Sequence, residues 1–421
     1  MRTLWLLTGF ALVVLTSGVK AAEGKANAAN TFEIEYAARN AKAESRKSAV
    51  TWLELAAFCE ERRQYDKYIQ ALHKVVEIDA NNVDAHARLG EVKVGAKWLP
   101  LEEADASESK EKKDKGLVFY GAAWITPAQA EPLRAADSKT VGFDVNVRID
   151  GKYVTVYSAL STETARRAAY LLDREVRVWS ALYEKTWQLK PAPALKLYLL
   201  KDNAAYQKTY QQVFKRSAPG GSVGSYGNGS DFLVAAPTPG APADAKLDLL
   251  QVIVHEMTHA LDNRMIASGV LAQKIASTPG LGWVLEGRAD YMKFSCDGLN
   301  ILPGSVSMDP RIVITDEFTR VINTASLKDM LEMKAVSMDR KAYFYAWALV
   351  HFLYHAENGK YVAGFNRFLQ ALPQSAGSAG FEANIGGISE IEPLFKKHAL
   401  EVILPEIGAA QKRNVILKDL Q

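Results

Sequence analysis

One stretch, residues 247–261, restricts the fold more than any other, because it sets polar residues at fixed positions in an apolar helical pattern. It contains His255, Glu256 and His259 within the letters LDLLQVIVHEMTHAL. Four residues along an α-helix turn by about 400°, so the two imidazoles lie about 40° apart on one face. Their neighbours are apolar, and a buried His-Glu-His patch is costly without a partner such as a metal ion.

The spacing of these three residues is the HExxH pattern, which binds zinc through its two histidines. Both imidazoles can reach one zinc ion at about 2.0 Å. Glu256 lies about 100° round the helix from His255, which places it beside the ion as a general base for a bound water. The alternative is a pair of structural histidines on a buried helix.

A third zinc ligand is required, because a catalytic zinc has three protein ligands and one open position. Residues 282–291, GWVLEGRADY, also have a helical pattern and place Glu286 and Asp290 on one face. We predict Glu286 as the third ligand. We predict that Asp290 accepts the other N–H of a ligand histidine and fixes its tautomer. The alternative, a solvated acidic face, does not suit a helix that is mostly apolar.

Together these two motifs resemble the gluzincin clan of zinc metallopeptidases. The Glu-x-x-x-Asp pair follows HExxH by 27 residues, counted from His259 to Glu286, and WVLEGRADY resembles the peptidase MA-like families. The resemblance covers about residues 150–400. It implies a zincin-like α+β domain with a small mixed sheet and a helical subdomain. It also implies that strand 231–236 is the edge strand beside the cleft and binds an extended peptide by strand addition.

Gluzincins usually add a Tyr or His that stabilises the oxyanion, and the resemblance gives three candidates in KAYFYAWALVHFLYH. These are Tyr343, Tyr345 and His351, of which we prefer Tyr345. His351 and His355 also stand four residues apart, but no Glu follows His351 and aromatic residues surround the pair. This composition favours core or surface histidines over a second metal site.

The N-terminus indicates export. A basic start at Arg2 precedes an apolar run over residues 4–15, and Val19-Lys20-Ala21 has small residues suited to cleavage after Ala21. This pattern predicts a signal peptide over residues 1–21 and an extracytoplasmic protein, either periplasmic or secreted. The mature chain has no long apolar run, so we expect no membrane span.

Three segments follow the predicted signal peptide. Residues 22–100 are helical and resemble a tetratricopeptide repeat around ALHKVVEIDANNVDAHARLGEV, which suggests a protein partner for these helices. Residues 101–140 form a charged linker, since residues 102–115 contain few apolar residues, followed by a Trp-containing connector. Residues 141–421 form the gluzincin-like α+β peptidase domain.

Net charge and cysteine content limit the functional classes that fit the sequence. The net charge is +3 and no basic stripe is present, so the sequence does not indicate nucleic-acid binding. The two cysteines, Cys59 and Cys296, lack metal-ligand spacing. They either form a disulfide or remain buried free thiols.

The sequence therefore predicts an exported zinc metallopeptidase that hydrolyses peptide bonds. Zinc binds His255, His259 and Glu286, and Glu256 removes a proton from the attacking water. One alternative is a non-catalytic exported scaffold with a structural or degenerate zinc site and a helical partner-binding segment. Another is a zinc hydrolase that acts on substrates other than peptides.

Overall fold

The computed structural model describes most of the chain and divides it into two compact units, Met1–Pro100 and Leu101–Gln421. The described residues are 32–61, 65–183, 195–220, 222–227, 231–238, 246–266, 278–298, 300–307, 315–372 and 375–410. The predicted signal peptide lies outside these residues.

The first unit is mainly helical. Its elements are α1 (32–46), α2 (Ala49–Glu61), α3 (Tyr65–Ile78), α4 (Val83–Arg88), and a hairpin of β1 (Glu91–Val94) and β2 (Lys97–Pro100). Apolar residues of α2 and α3, among them Leu55 and Leu72, are fully buried. Asn82 caps α4 by accepting a hydrogen bond from the Ala85 N–H, which ends the Asp-Ala-Asn-Asn turn between α3 and α4.

The second unit begins with regular structure where we expected a linker. Residues of the predicted charged linker form helix α5 (Leu101–Asp114). A hairpin of β3 (Val118–Tyr120) and β4 (Ala123–Ile125) and helix α6 (Pro127–Val141) follow. Glu, Lys and Ala favour helix even where no apolar stripe is present. The segment predicted as a charged linker is thus helical over Leu101–Asp114.

A mixed five-stranded sheet lies in the second unit. Its strands are β5 (Val147–Asp150), β6 (Val154–Ser158), β7 (Leu195–Leu199), β8 (Gly224–Tyr226) and β9 (Phe232–Ala235). The order is β5-β6-β7-β9-β8, with β6, β7 and β9 parallel and the two outer strands antiparallel to their neighbours.

The sheet order corrects the expected edge strand. Strand β9, which covers the predicted 231–236 segment, pairs with β7 on one side and β8 on the other. The backbone N–H and C=O groups of β9 are therefore hydrogen-bonded to neighbouring strands on both sides. The edge strand on this side of the sheet is β8, a three-residue strand in a Gly/Ser-rich stretch too short for a period-2 pattern to reveal it.

Helices account for most of the other described residues of the second unit, which gives a mixed α+β architecture. They are α7 (Thr162–Tyr183), α8 (Asn203–Phe214), α9 (Lys246–Ile266), α10 (Gly282–Phe294), α11 (Thr315–Thr324), α12 (Leu327–Glu332), α13 (Arg340–His355), α14 (Val362–Ala371), α15 (Gly377–Asn384) and α16 (Ile388–His398). The sequence did not predict α11, which is rich in Thr and β-branched residues, or α15, which contains two glycines.

Three helices bring the candidate site together. Helix α9 is buried between the sheet, α7 and α10, with Ile253, Val254 and Met257 fully buried. Helix α10 packs closely on α13 at Gly287. A Cβ built on this residue would lie 2.7 Å from the Ala346 carbonyl oxygen, which is too close for any real side chain. Only glycine permits this approach.

In the residues that the structure covers, no helix combines the length and apolarity that crossing a bilayer requires. Cys59 and Cys296 are both buried free thiols.

Candidate metal centre

Helix α9 presents its two histidines toward the carboxylates of α10. The distance between His255 Nε2 and His259 Nε2 is 3.1 Å, and their rings meet at 84°. The Glu286 Oε2 atom lies 3.3 Å from His255 Nε2 and 3.4 Å from His259 Nε2. The predicted residues thus form a triangle of three donor atoms.

This triangle has the dimensions of a tetrahedral metal site. Bonds of about 2.0–2.1 Å in a tetrahedral array hold the donor atoms about 3.3–3.4 Å apart. The three observed distances, 3.1, 3.3 and 3.4 Å, are close to that value. His255, His259 and Glu286 can therefore hold a metal ion, and among the described residues they are the one such group of three.

The three side chains that carry the donor atoms keep some exposure to solvent. The side chains of His255, Glu286 and His259 are 14, 16 and 18% exposed. A structural zinc site is normally closed by four protein ligands, whereas a catalytic site leaves one position open. Three donors with residual exposure correspond to the second arrangement.

Asp290 fixes the orientation of one ligand. Its Oδ1 atom lies 2.9 Å from His255 Nδ1, and its side chain is 5% exposed. A carboxylate accepts a hydrogen bond, so in its neutral, metal-binding form His255 carries its proton on Nδ1 and presents the lone pair of Nε2 to the donor triangle. The structure thus gives Asp290 the contact that the sequence predicted.

Charges within the cluster shift the pKa values of its members. Burial opposes the charged form of His255, but hydrogen bonds to Asp290 and Glu286 raise its pKa to about 10. Burial also opposes ionisation of Glu286, yet the charge of His259 and hydrogen bonds to both histidines lower its pKa below the usual range. A divalent cation bound by the three side chains would take the place of the protons that these raised histidine pKa values favour.

Glu256 lies beside the triangle and touches the edge strand. Its carboxylate accepts a hydrogen bond from the Tyr226 backbone, and burial raises its pKa, an effect that the charges of His255 and His259 oppose. A Cβ built on Gly224 would lie 3.1 Å from Glu256 Oε1 and 2.4 Å from Val252 Cγ1. Gly224 therefore leaves the space that Glu256 occupies. Because the sequence indicated only a Gly/Ser-rich loop here, it did not reveal this contact.

The preferred oxyanion candidate, Tyr345, interacts with residues outside the donor triangle. It is fully buried and packs edge-on against Phe395, with 4.9 Å between ring centroids. The carboxylates that act on it are those of Glu392 and Asp329. We correct the preference to Tyr343, which lies about 200° round α13 from Tyr345.

Tyr343 reaches the donor triangle directly. Its ring lies 6.5 Å from the His255 ring, and its phenol forms a hydrogen bond with the Glu286 side chain. Burial and the charge of Glu286 raise its pKa, so the phenol keeps its proton. The close α10–α13 contact at Gly287 brings this side chain to the site, and sequence spacing alone did not distinguish it from Tyr345.

His351, the third candidate for stabilising the oxyanion, contacts other groups. It is fully buried, with Nε2 3.2 Å from the Gly304 carbonyl oxygen and Nδ1 3.1 Å from His398 Nε2. His355, four residues on, lies 2.7 Å from the Tyr291 hydroxyl through its Nε2 atom.

Comparison with known proteins assigns no family to this chain. No protein-family model matches the sequence, and no curated protein is significantly similar to it.

Proposed function

We propose that the protein is an exported zinc-dependent peptidase that hydrolyses peptide bonds. The observation that carries the proposal is the partly exposed donor triangle of His255, His259 and Glu286, which Glu256 adjoins. Two imidazoles and one carboxylate are a donor set typical of catalytic zinc in peptidases. The same geometry supports a zincin-like arrangement of the second unit.

The residues around the triangle supply the proton chemistry. When bound, zinc would polarise the scissile carbonyl and lower the pKa of water. Glu256 removes the proton of the attacking water and passes it to the leaving amine, a role that its burial-raised pKa favours. The protonated Tyr343 phenol donates a hydrogen bond to the carbonyl oxygen as negative charge develops there.

The test combines metal analysis with one substitution. We expect about one zinc per chain in the mature protein and cleavage within a mixed peptide library. Glu256→Gln should keep the zinc and lose cleavage by about 100- to 10,000-fold, the usual contribution of general acid–base catalysis. Glu390→Gln, an exposed carboxylate on α16, serves as the matched control and should cleave normally. Full cleavage by Glu256→Gln would reject the proposed role of Glu256.

The first unit favours one alternative, a scaffold that binds a protein partner. Among the described residues, four of the seven exposed large hydrophobic side chains lie in this unit. They are Ile34, Val50, Ile78 and Val83. Zinc binding without cleavage of any peptide would support the scaffold. Cleavage of a non-peptide ester or amide instead would support a different zinc hydrolase.

Export is the remaining part of the proposal, and N-terminal sequencing of the mature protein tests it. A first residue of Ala22 is expected for cleavage after Ala21. A mature protein that still begins at Met1 would contradict it.

A further inference from the structure

A buried ion pair connects the two helices that carry the metal ligands. Asp262 on α9 and Arg288 on α10 lie 2.9 Å apart through Oδ1 and Nη2, and both side chains are 1% exposed. The Trp179 indole N–H on α7 donates to the same Asp262 oxygen at 3.1 Å. The guanidinium also lies over the Trp179 ring, 5.9 Å from its centroid. Three helices therefore meet at one carboxylate.

The pair lies within one helical turn of the ligands on both helices. Asp262 follows His259 by three residues, and Arg288 follows Glu286 by two. A sliding movement of α10 along α9 would break this pair and would also separate Glu286 from the two imidazoles. The donor distances of 3.3 and 3.4 Å thus depend on the same helix register as the ion pair.

Stability alone does not account for this pair. Among the described residues, the second Asp262 oxygen, Oδ2, has no hydrogen-bond partner, and an unbonded buried acceptor costs free energy. Burial raises the pKa of Asp262, and the Arg288 charge opposes that effect. Buried ion pairs are often no more stabilising than well-packed apolar residues, but they can fix the register of packed helices.

We propose that Asp262 and Arg288 are positioning residues, which set the register of α9 against α10 and so hold Glu286 at bonding distance from the zinc bound by His255 and His259. The inference rests on the metal binding that the proposed function requires and not on peptide cleavage.

The experiment separates positioning from stability by replacing both charges together. In the double variant Asp262→Leu/Arg288→Met, apolar side chains fill the space and no unpaired charge remains. We expect the Tm of the metal-free double variant to equal or exceed that of the wild type. Its zinc Kd, measured by competition with a chelating dye, should rise by about 10- to 100-fold, as for loss of other groups that orient ligands.

The matched control uses another ion pair of α9. Arg264 and Asp231 are also 2.9 Å apart, but they connect α9 to the start of β9 instead of α10. The variant Asp231→Asn/Arg264→Met should bind zinc with a Kd within about twofold of wild type, because the α9–α10 register is untouched. An equal loss of affinity in this control would overturn the proposal.

The remaining outcomes are distinct. An unchanged zinc Kd in the Asp262→Leu/Arg288→Met variant would overturn the positioning role while leaving the proposed function intact. Absence of zinc binding by the wild type would reject the proposed function itself. If the double variant does not fold, Asp262→Asn carries the test, because it keeps the shape of the side chain and a hydrogen-bond acceptor. Weakened zinc binding by folded Asp262→Asn supports the proposal, and unaltered binding overturns it.

Discussion

Two helices of this protein carry histidines at the same spacing, but the two pairs have different surroundings. On α9, His255 and His259 face the Glu286 carboxylate. On α13, His351 contacts the Gly304 carbonyl and another imidazole, and His355 contacts the Tyr291 phenol. Helix α10 supplies partners to both pairs, carboxylates to the first and a phenol to the second. The spacing brings two imidazoles together, and the third group decides whether they can bind a cation.

The largest effect should follow from removing that third group. Glu286→Ala leaves the α9 pair without its carboxylate, so we expect zinc affinity to fall by more than the roughly 100-fold seen when an outer partner is lost. Cleavage should be lost with the metal. The measurement is dye competition for zinc together with peptide cleavage.

The second histidine pair provides the matched control for that experiment. His355→Gln alters a half-buried imidazole on α13, and it should leave zinc content and affinity unchanged. If His355→Gln lost zinc while Glu286→Ala still bound it, the metal site would belong to the histidine pair on α13 and not to the pair on α9.

Two tyrosines of α13 offer the next contrast. Tyr343→Phe removes the phenol beside Glu286 and should lower kcat by about 100- to 1,000-fold, the effect of deleting one oxyanion donor, with zinc retained. Tyr345→Phe removes a buried hydroxyl that has no hydrogen-bond partner in the described part of the chain. It should leave kcat unchanged, and Tm should stay equal or rise slightly. A kcat loss in Tyr345→Phe alone would restore the original preference.

This contrast shows how far the sequence could predict the site. Periodicity and spacing placed His255, Glu256 and His259 on one helix and Glu286 on a second, and the structure brings the two imidazoles and the Glu286 carboxylate together. The structure also gives Asp290 the predicted contact with His255. These residues lie on two regular helices, where local geometry fixes the direction of each side chain.

Features that depend on contacts between distant segments were not predictable. Tyr343 and Tyr345 fit a helix equally well, and the α10–α13 contact at Gly287 determines which one reaches the cluster. Strand β8 has three residues, too few for a periodic signal, and its contact with Glu256 depends on the order of strands in the sheet.

A smaller effect should follow from changing the group that orients His255. Asp290→Asn removes the charge that holds the Nδ1 proton, and we expect the zinc Kd to rise by about 10- to 100-fold. Tyr291→Phe changes the next residue of α10, whose hydroxyl faces His355, and should leave the zinc Kd unaltered. Equal effects in the two variants would indicate a general disturbance of α10 and no specific role for Asp290.

The last prediction concerns pH and arises from protons that zinc must displace. Although burial opposes it, hydrogen bonds to Asp290 and Glu286 raise the pKa of His255 to about 10, so metal-free His255 is protonated at neutral pH. Zinc binds neutral imidazole, and each binding event therefore releases protons. Apparent affinity should increase with pH between 6 and 8, by about tenfold per unit for each proton displaced.

The metal-free protein should show the opposite trend in stability. A group whose pKa is raised in the folded state stabilises it fully below the unfolded pKa, near 6.5 for histidine, and that contribution is lost as pH rises through about 10. The Tm of metal-free wild type should therefore fall between pH 7 and 10 more than that of His255→Gln. A zinc Kd that does not change from pH 6 to 8 would contradict the protonated state of the α9 pair. Such a result would also mean that the α10 carboxylates do not favour protonation of His255. That effect is the electrostatic difference between the histidine pair on α9 and the pair on α13.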